Sequence, residues 1–142
     1  MDRLLSSKEK EEVNTMDLKA VGFYKEMPHG MGSQLSLKDY IQKEKEDINK
    51  ISDYLLHGVE IIVSPGTVND LLDESKGIAG TTSLFTDGEW IWSGDLAYYV
   101  REYKLQLPEE FINTMKSNSW KVNVTMEDLE LETLSIDGKT VY

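Results

Sequence analysis

No cysteine occurs in this chain, which excludes disulfides, thiolate metal sites and a thiol nucleophile. Apolar runs end after a few residues, so no membrane span is predicted, and the opening MDRLLSSKEKEEVN lacks the apolar stretch of a secretory signal. Basic charge is also scarce: 15 Lys and Arg stand against 26 Asp and Glu, a net charge of −11. The deficit is uneven, at net −2 over residues 1–58 and net −9 over residues 59–142. A surface of this sign repels nucleic acid and anionic membranes, which recruit Lys and Arg, and it attracts a basic protein. Solubility is the plainer use of the same charge. Cytoplasmic residence is expected.

Catalytic signatures are missing as well. The two histidines, His29 in a Pro/Gly loop and His57 at a helix end, lie outside any HExxH-type spacing, and a structural or surface role is expected for both. There is no GxSxG elbow, P-loop or GxGxxG, and the stretch PHGMGSQ lacks the Lys-Ser/Thr and the preceding strand of a phosphate cradle. Asp70, Asp73 and Glu74 lack the alternating oxygen ligands and mid-loop glycine of a calcium loop. Neither metal nor cofactor is expected.

What the sequence does contain is a dense stretch from Thr82 to Pro108, TSLFTDGEWIWSGDLAYYVREYKLQLP. Asp87-Gly88 predicts a two-residue type I′ hairpin, because both residues tolerate positive φ. Thr86 then faces Glu89, Phe85 faces Trp90, Leu84 faces Ile91 and Ser83 faces Trp92. Side chains two apart share a face, so Phe85, Trp90 and Trp92 lie on one side and Leu84 and Ile91 on the other. Both sides are apolar. The hairpin must be covered twice or offer its aromatic face to a partner.

The other elements follow from periodicity and punctuation. Residues 18–27 read as an edge strand or a short helix. Ser36 caps a helix that runs to Gly58 on Leu37, Tyr40, Ile41, Ile48, Ile51 and Leu55. Val59–Val63 is a core strand, and Thr67 starts a short helix with Val68, Leu71 and Leu72. Ser93 caps a helix burying Leu96, Tyr99, Val100 and Tyr103, and Pro108 opens another that ends near Ser117. Trp120–Met126 and Leu129–Leu134 alternate like strands, and Asp137-Gly138 turns into a closing hairpin. The expected fold is α+β: a small, mostly antiparallel sheet packed against three to four helices in a single domain. Residues 1–16 form a charged N-terminal arm, disordered or a frayed helix, with Met16 a candidate second start; residues 17–142 form the globular domain with its C-terminal β-hairpin.

Three groups of polar residues carry functional alternatives. Asp87, Glu89 and Asp95 around Trp90 and Trp92 have the make-up of a sugar site, but turn geometry and helix-start electrostatics already account for each of them. Tyr98 lies off the buried stripe with its ring free to point outward near Asp95 and Glu102, a composition suited to a basic partner. Glu127-Asp128-Leu129-Glu130-Leu131-Glu132, read as a strand, puts Glu130 and Glu132 on one face. That stripe either protects a sheet edge from aggregation or docks a Lys/Arg-rich protein.

The series Gly22-Phe23-Tyr24-x-Glu26, Tyr54-Leu55-Leu56-x-Gly58, Asp70-Leu71-Leu72-Asp73, Thr86-Asp87-Gly88-x-Trp90-x-Trp92, Asp95-Leu96-x-Tyr98-Tyr99-Val100 and Leu107-Pro108-x-x-Phe111 resembles small acidic immunity proteins of bacterial polymorphic toxins. The resemblance spans roughly residues 20–120. It implies a non-enzymatic inhibitor whose partner is the basic C-terminal nuclease domain, of tRNase type, of a contact-dependent or wall-associated toxin, with no direct nucleic-acid or membrane contact. The interface would then come from Glu127, Asp128, Glu130 and Glu132, then Asp73 and Glu74, with Tyr98 and Glu102 after them. A regulatory or scaffold domain without a toxin partner is the alternative.

Overall fold

A computed structural model describes residues 16–43 and 46–140; residues 1–15 of the expected arm lie outside these, whereas Met16 belongs to the first strand and is buried. The strands are β1 (Met16–Ala20), β2 (Val59–Ile62), β3 (Val68–Asn69), β4 (Ile78–Gly80), β5 (Leu84–Thr86), β6 (Trp90–Ser93), β7 (Leu134–Ile136) and β8 (Lys139–Thr140). The α-helices are α1 (Ile48–Leu56), α2 (Leu96–Tyr103) and α3 (Glu109–Ser117). Six strands form one sheet in the order β2-β5-β6-β1-β7-β8, and β3 and β4 pair as a separate ribbon.

The fold is α+β with three α-helices among the described residues, but the sheet is mixed rather than mostly antiparallel. β1 lies inside the sheet, parallel to both β6 and β7, where an edge strand or helix was expected. Both backbone edges of β1 are paired, and its Leu18 side chain is fully buried. Antiparallel pairs flank it on either side: β2 with β5, β5 with β6, and β7 with β8.

The β5–β6 hairpin departs from the type I′ expectation. Thr86 pairs with Ile91, Phe85 with Trp92 and Leu84 with Ser93, so the loop is two residues longer than predicted. Within the turn only Gly88 has positive φ, 97°. Side chains close the loop instead: Asp87 Oδ1 accepts from the Glu89 N–H (2.9 Å) and the Trp90 N–H (2.7 Å). Thr86 Oγ1 accepts from the Gly88 N–H (2.9 Å) and donates to the Trp90 carbonyl (2.5 Å). Because the shift is an even number of residues, the predicted faces survive. The turn with two positive φ values is the other one, at Asp137 (51°) and Gly138 (82°), as the C-terminal hairpin requires.

Both faces of the hairpin are covered. On one side Trp90, Trp92 and Phe85 meet the helices: Phe111 of α3 lies 5.0 Å from Trp90 and 5.4 Å from Trp92 between ring centroids. The Trp92 indole N–H donates to the Leu55 carbonyl of α1 (3.1 Å). On the other side Ile91 packs with Met16, Leu18 and Leu134, and Leu129 and Leu131 of the tail lie against that cluster.

Several expected elements are broken by local chemistry. The helix predicted from Ser36 is a 3-10 turn at Leu37–Tyr40 followed, after a gap, by α1. Asp47 ahead of α1 has φ 58°, a left-handed residue that a continuous helix excludes. Ser36 caps nothing: its hydroxyl donates to Glu26 Oε2 (2.6 Å), and Glu26 Oε1 takes the Leu37 N–H (2.9 Å). Thr67–Leu72 is a strand and turn rather than a helix, and Asp95, not Ser93, occupies the N-cap position of α2. After α3, Ser119 (φ 56°) and Trp120 (φ 61°) are both left-handed, which stops Trp120–Met126 from extending as a strand. In place of the expected strand at Leu129–Leu134, the chain winds through 3-10 turns at Met126–Asp128 and Leu131–Thr133 before entering β7 at Leu134.

Asp87 also reaches across the core. Its Oδ2 accepts from the Tyr54 hydroxyl of α1 (2.6 Å), and that hydroxyl accepts from Asn118 Nδ2 just after α3 (3.1 Å). Asp87→Ala is expected to lower the unfolding free energy by about 3 kcal/mol, since it unpairs a buried hydroxyl and two turn amides. Urea titration measures this; a loss below about 1 kcal/mol would mean that the turn holds without the carboxylate.

Candidate partner-binding surfaces

The eight interface residues expected from the sequence fall into two groups. Asp73, Glu74, Tyr98 and Glu102 gather where the β3–β4 ribbon lies on α2, and Glu127, Asp128, Glu130 and Glu132 lie on the tail between α3 and β7.

In the first group most side chains are already engaged. Tyr98 does not point outward: it is half-buried, its hydroxyl donates to Asp70 Oδ2 (2.7 Å), and its ring meets Tyr99 edge-on at 5.4 Å. Tyr103 donates to the same oxygen (2.6 Å), and Asp70 Oδ1 accepts from the Leu72 N–H (2.7 Å) and the Asp73 N–H (2.9 Å). Asp73 accepts from the Ser75 N–H (3.1 Å) and hydroxyl (2.5 Å), forming the 3-10 turn at Glu74–Lys76. Glu102 lies 4.0 Å from Lys76, whose ammonium also sits 4.6 Å above the Tyr103 ring. Glu74 alone of the four presents an exposed carboxylate with no ion-pair or hydrogen-bond partner for its side chain among the described residues.

Asp70 is the residue this face is built around, and nothing in the sequence periodicity singled it out. It is 2% exposed. Burial opposes its ionisation, but the hydrogen bonds from Tyr103, Tyr98 and the Asp73 and Leu72 amides together hold its carboxyl below the ordinary 3.8. Burial and the facing Asp70 carboxylate in turn push the Tyr98 and Tyr103 hydroxyls well above their ordinary range.

The tail group is different. Asp128 is spent on its own turn, accepting from the Thr125 N–H (2.8 Å) and hydroxyl (3.2 Å). Glu127, Glu130 and Glu132 are exposed, and among the described residues no cation lies within ion-pair distance of them. Between Lys121 and Lys139 the chain has five acidic residues and no basic one. The tail backbone is fastened from below: Leu134 is buried, Leu129 and Leu131 pack on the sheet, and Val124 lies over Gly88 of the hairpin turn. The expected arrangement of leucines inward and glutamates outward is therefore present, carried by 3-10 turns rather than by a strand.

The carboxylates nearest the tryptophans are tied down. Asp87 closes the turn. Glu89 Oε2 accepts from the Trp90 indole N–H and the Thr114 hydroxyl, each at 3.1 Å. Asp95, fully buried, accepts from the Ser93 hydroxyl and pairs with His29 Nε2 (3.0 Å). That pair links the Pro28–Gly32 loop to the start of α2, a contact between positions 66 residues apart that no local pattern foretells. His57 Nδ1 lies 2.6 Å from the Asp53 carbonyl within its own helix end. No group of His, Asp and Glu side chains among the described residues is placed to hold a metal ion, and no helix there is long and apolar enough to cross a membrane.

Comparison with protein-family models, curated proteins and solved structures returned no match. A functional reading therefore rests on residues and geometry.

Two outcomes follow for the buried acids. Since the folded-state pKa of Asp70 is depressed, its contribution to stability is present above the unfolded value of 3.8 and is lost as pH falls through the folded value. Unfolding followed from about pH 5 to pH 2 should show that loss, and Asp70→Asn should flatten it. His29→Ala removes the hydrogen-bond partner of Asp95 Oδ2 in a fully buried site and should cost about 1–3 kcal/mol in the same denaturation assay; a neutral effect would show that the Ser93 hydroxyl suffices.

Proposed function

We propose that this chain is an immunity-type binding protein that captures and silences a basic nuclease domain through its acidic tail. The observation that carries this reading is the tail itself: three exposed glutamates, without a cation in ion-pair reach among the described residues, held on a backbone that the sheet anchors through Leu129, Leu131 and Leu134. Carboxylates on a fixed support act as phosphate mimics toward a groove that binds RNA with Lys and Arg, and they accelerate encounter through long-range attraction. A solubilising charge needs no such anchoring. The motif series, through its resemblance to immunity proteins, implies a tRNase-type nuclease from a contact-dependent or wall-associated system as the toxin.

Binding rather than catalysis is supported by the state of the other acids. Asp70, Asp87 and Asp95 are buried and engaged in internal hydrogen bonds, and Glu89 is bonded to Trp90 and Thr114. Glu74 is the remaining candidate on the ribbon face, while Asp73, Tyr98 and Glu102 take part in its internal network. Their contribution to the interface would run through holding Glu74 in place.

Glu130→Lys combined with Glu132→Lys tests the reading. Against the nuclease domain encoded beside this chain, the double variant should associate about tenfold more slowly at low ionic strength and inhibit less. The difference should shrink toward about 0.5 M salt, with the melting temperature unchanged. Equal association rates at low salt would remove the tail from the interface, and absence of binding by the unaltered protein would overturn the immunity reading.

A further inference from the structure

The buried tyrosines of this protein differ in one respect. The Tyr54 hydroxyl donates to Asp87 (2.6 Å), and the Tyr99 hydroxyl accepts from the Leu71 N–H (3.0 Å). Half-buried Tyr98 and Tyr103 both donate to Asp70. Tyr24 is only 3% exposed, yet its hydroxyl makes no hydrogen bond among the described residues. The nearby Glu26 does not supply one, because its two oxygens are taken by the Ser36 hydroxyl and the Leu37 N–H. Buried polar side chains nearly always have a partner, so an unpaired hydroxyl in such a place points to a group that is added from outside.

Tyr24 stands in the wall of a cavity of about 770 Å³, bounded by the segment after β1, the loop before Leu37, the α2–α3 connection and the β7–β8 hairpin. The Tyr40 ring lies beside it, 5.9 Å away between centroids, and lines the same cavity. Most of the remaining wall is apolar, from Val21, Phe23, Leu107 and Ile136. The volume falls within the range of about 300–1,000 Å³ in which small molecules are held, and an apolar lining with few polar groups is the usual make-up of such sites.

The ionisable groups of the wall define the charge of the occupant. Lys139 stands against Glu109 and against Asp137, whose carboxylate already accepts from the Ala20 N–H (3.1 Å). Neither sign is in clear excess, so a net charge on the occupant would gain little. Burial, followed by the neighbouring Tyr40 and Glu26, pushes the Tyr24 hydroxyl above its ordinary range, and it stays an intact O–H donor.

We infer that this cavity binds a neutral small molecule with an apolar body and a carbonyl oxygen that accepts from the Tyr24 hydroxyl. The body packs on Phe23, Leu107 and Ile136 and covers Met31 and Leu35, which also line the cavity and are 49% and 52% exposed without it. The site is separate from the acidic tail and does not depend on the immunity reading.

The test is an NMR titration of the full chain with two uncharged probes of nearly equal shape, benzophenone, which has a carbonyl, and diphenylmethane, which lacks it. Benzophenone should shift the amides of Val21, Gly30 and Leu107 saturably, and it should bind about fivefold more tightly than diphenylmethane, the difference that one net hydrogen bond makes. Tyr24→Phe removes only the unpaired hydroxyl, so it should leave the melting temperature unchanged and weaken benzophenone about fivefold while leaving diphenylmethane as it was. Absence of saturable shifts with benzophenone would overturn the site. Equal binding of the two probes by the unaltered protein, or of benzophenone by the unaltered protein and Tyr24→Phe, would overturn the role of the hydroxyl and with it the proposed ligand class. If Tyr24→Phe melts lower, the comparison of the two probes on the unaltered protein decides alone.

Discussion

The β5–β6 hairpin is apolar on both faces, and that single constraint dictates the layering of the protein. Trp90 and Trp92 demand an aromatic and aliphatic cover, which α1 and α3 supply through Tyr54, Leu55, Phe111 and Met115. Ile91 demands another on the opposite side. Among the described residues no α-helix packs there; β1 and β7 extend the sheet beside it and the tail folds back with Leu129 and Leu131. Leu134 is fully buried, and the partial burial of Leu129 and Leu131 adds to it at about 25 cal/mol per Å² of apolar surface removed from water, which holds an otherwise polar segment in place. The acidic residues of the tail face outward because the leucines between them face inward.

Three buried aspartates then fix the loops that this layering leaves over. Asp87 binds the hairpin turn to α1, Asp70 binds the β3–β4 ribbon to α2, and Asp95 binds the loop around His29 to the start of α2. In each case the carboxyl group has more than one hydrogen-bond partner, and removing one leaves a buried polar atom unpaired. The 26 acidic residues are thus of two kinds. A few are internal fasteners, and most are surface charge, the tail's Glu127, Glu130 and Glu132 among them.

What could be read from the sequence follows the same division. The faces of the hairpin, the buried stripes of α2 and α3, and the C-terminal Asp-Gly turn were legible, because side-chain period depends only on near neighbours. The central place of β1 was not, since its partners lie more than seventy residues away at Trp90 and beyond one hundred at Leu134. The break between Tyr40 and Ile48 was hidden for a different reason. The apolar spacing there is helical, but Glu26 takes the Leu37 amide and the Ser36 hydroxyl from outside the segment. Among the site residues, exposure of the tail glutamates was foreseen from alternation with leucine. The inward turn of Tyr98 was not, because it depends on Asp70, an acid whose burial only the ribbon's position explains.

On the proposed reading, the tail governs encounter more than residence. Charge acts at a distance and sets how often partners meet, whereas apolar contact sets how long they stay. The tail carries charge but little exposed apolar area beyond Met126. An inhibitor must both outrun the nuclease's encounter with RNA and outlast it, so a lasting complex requires contacts outside the tail.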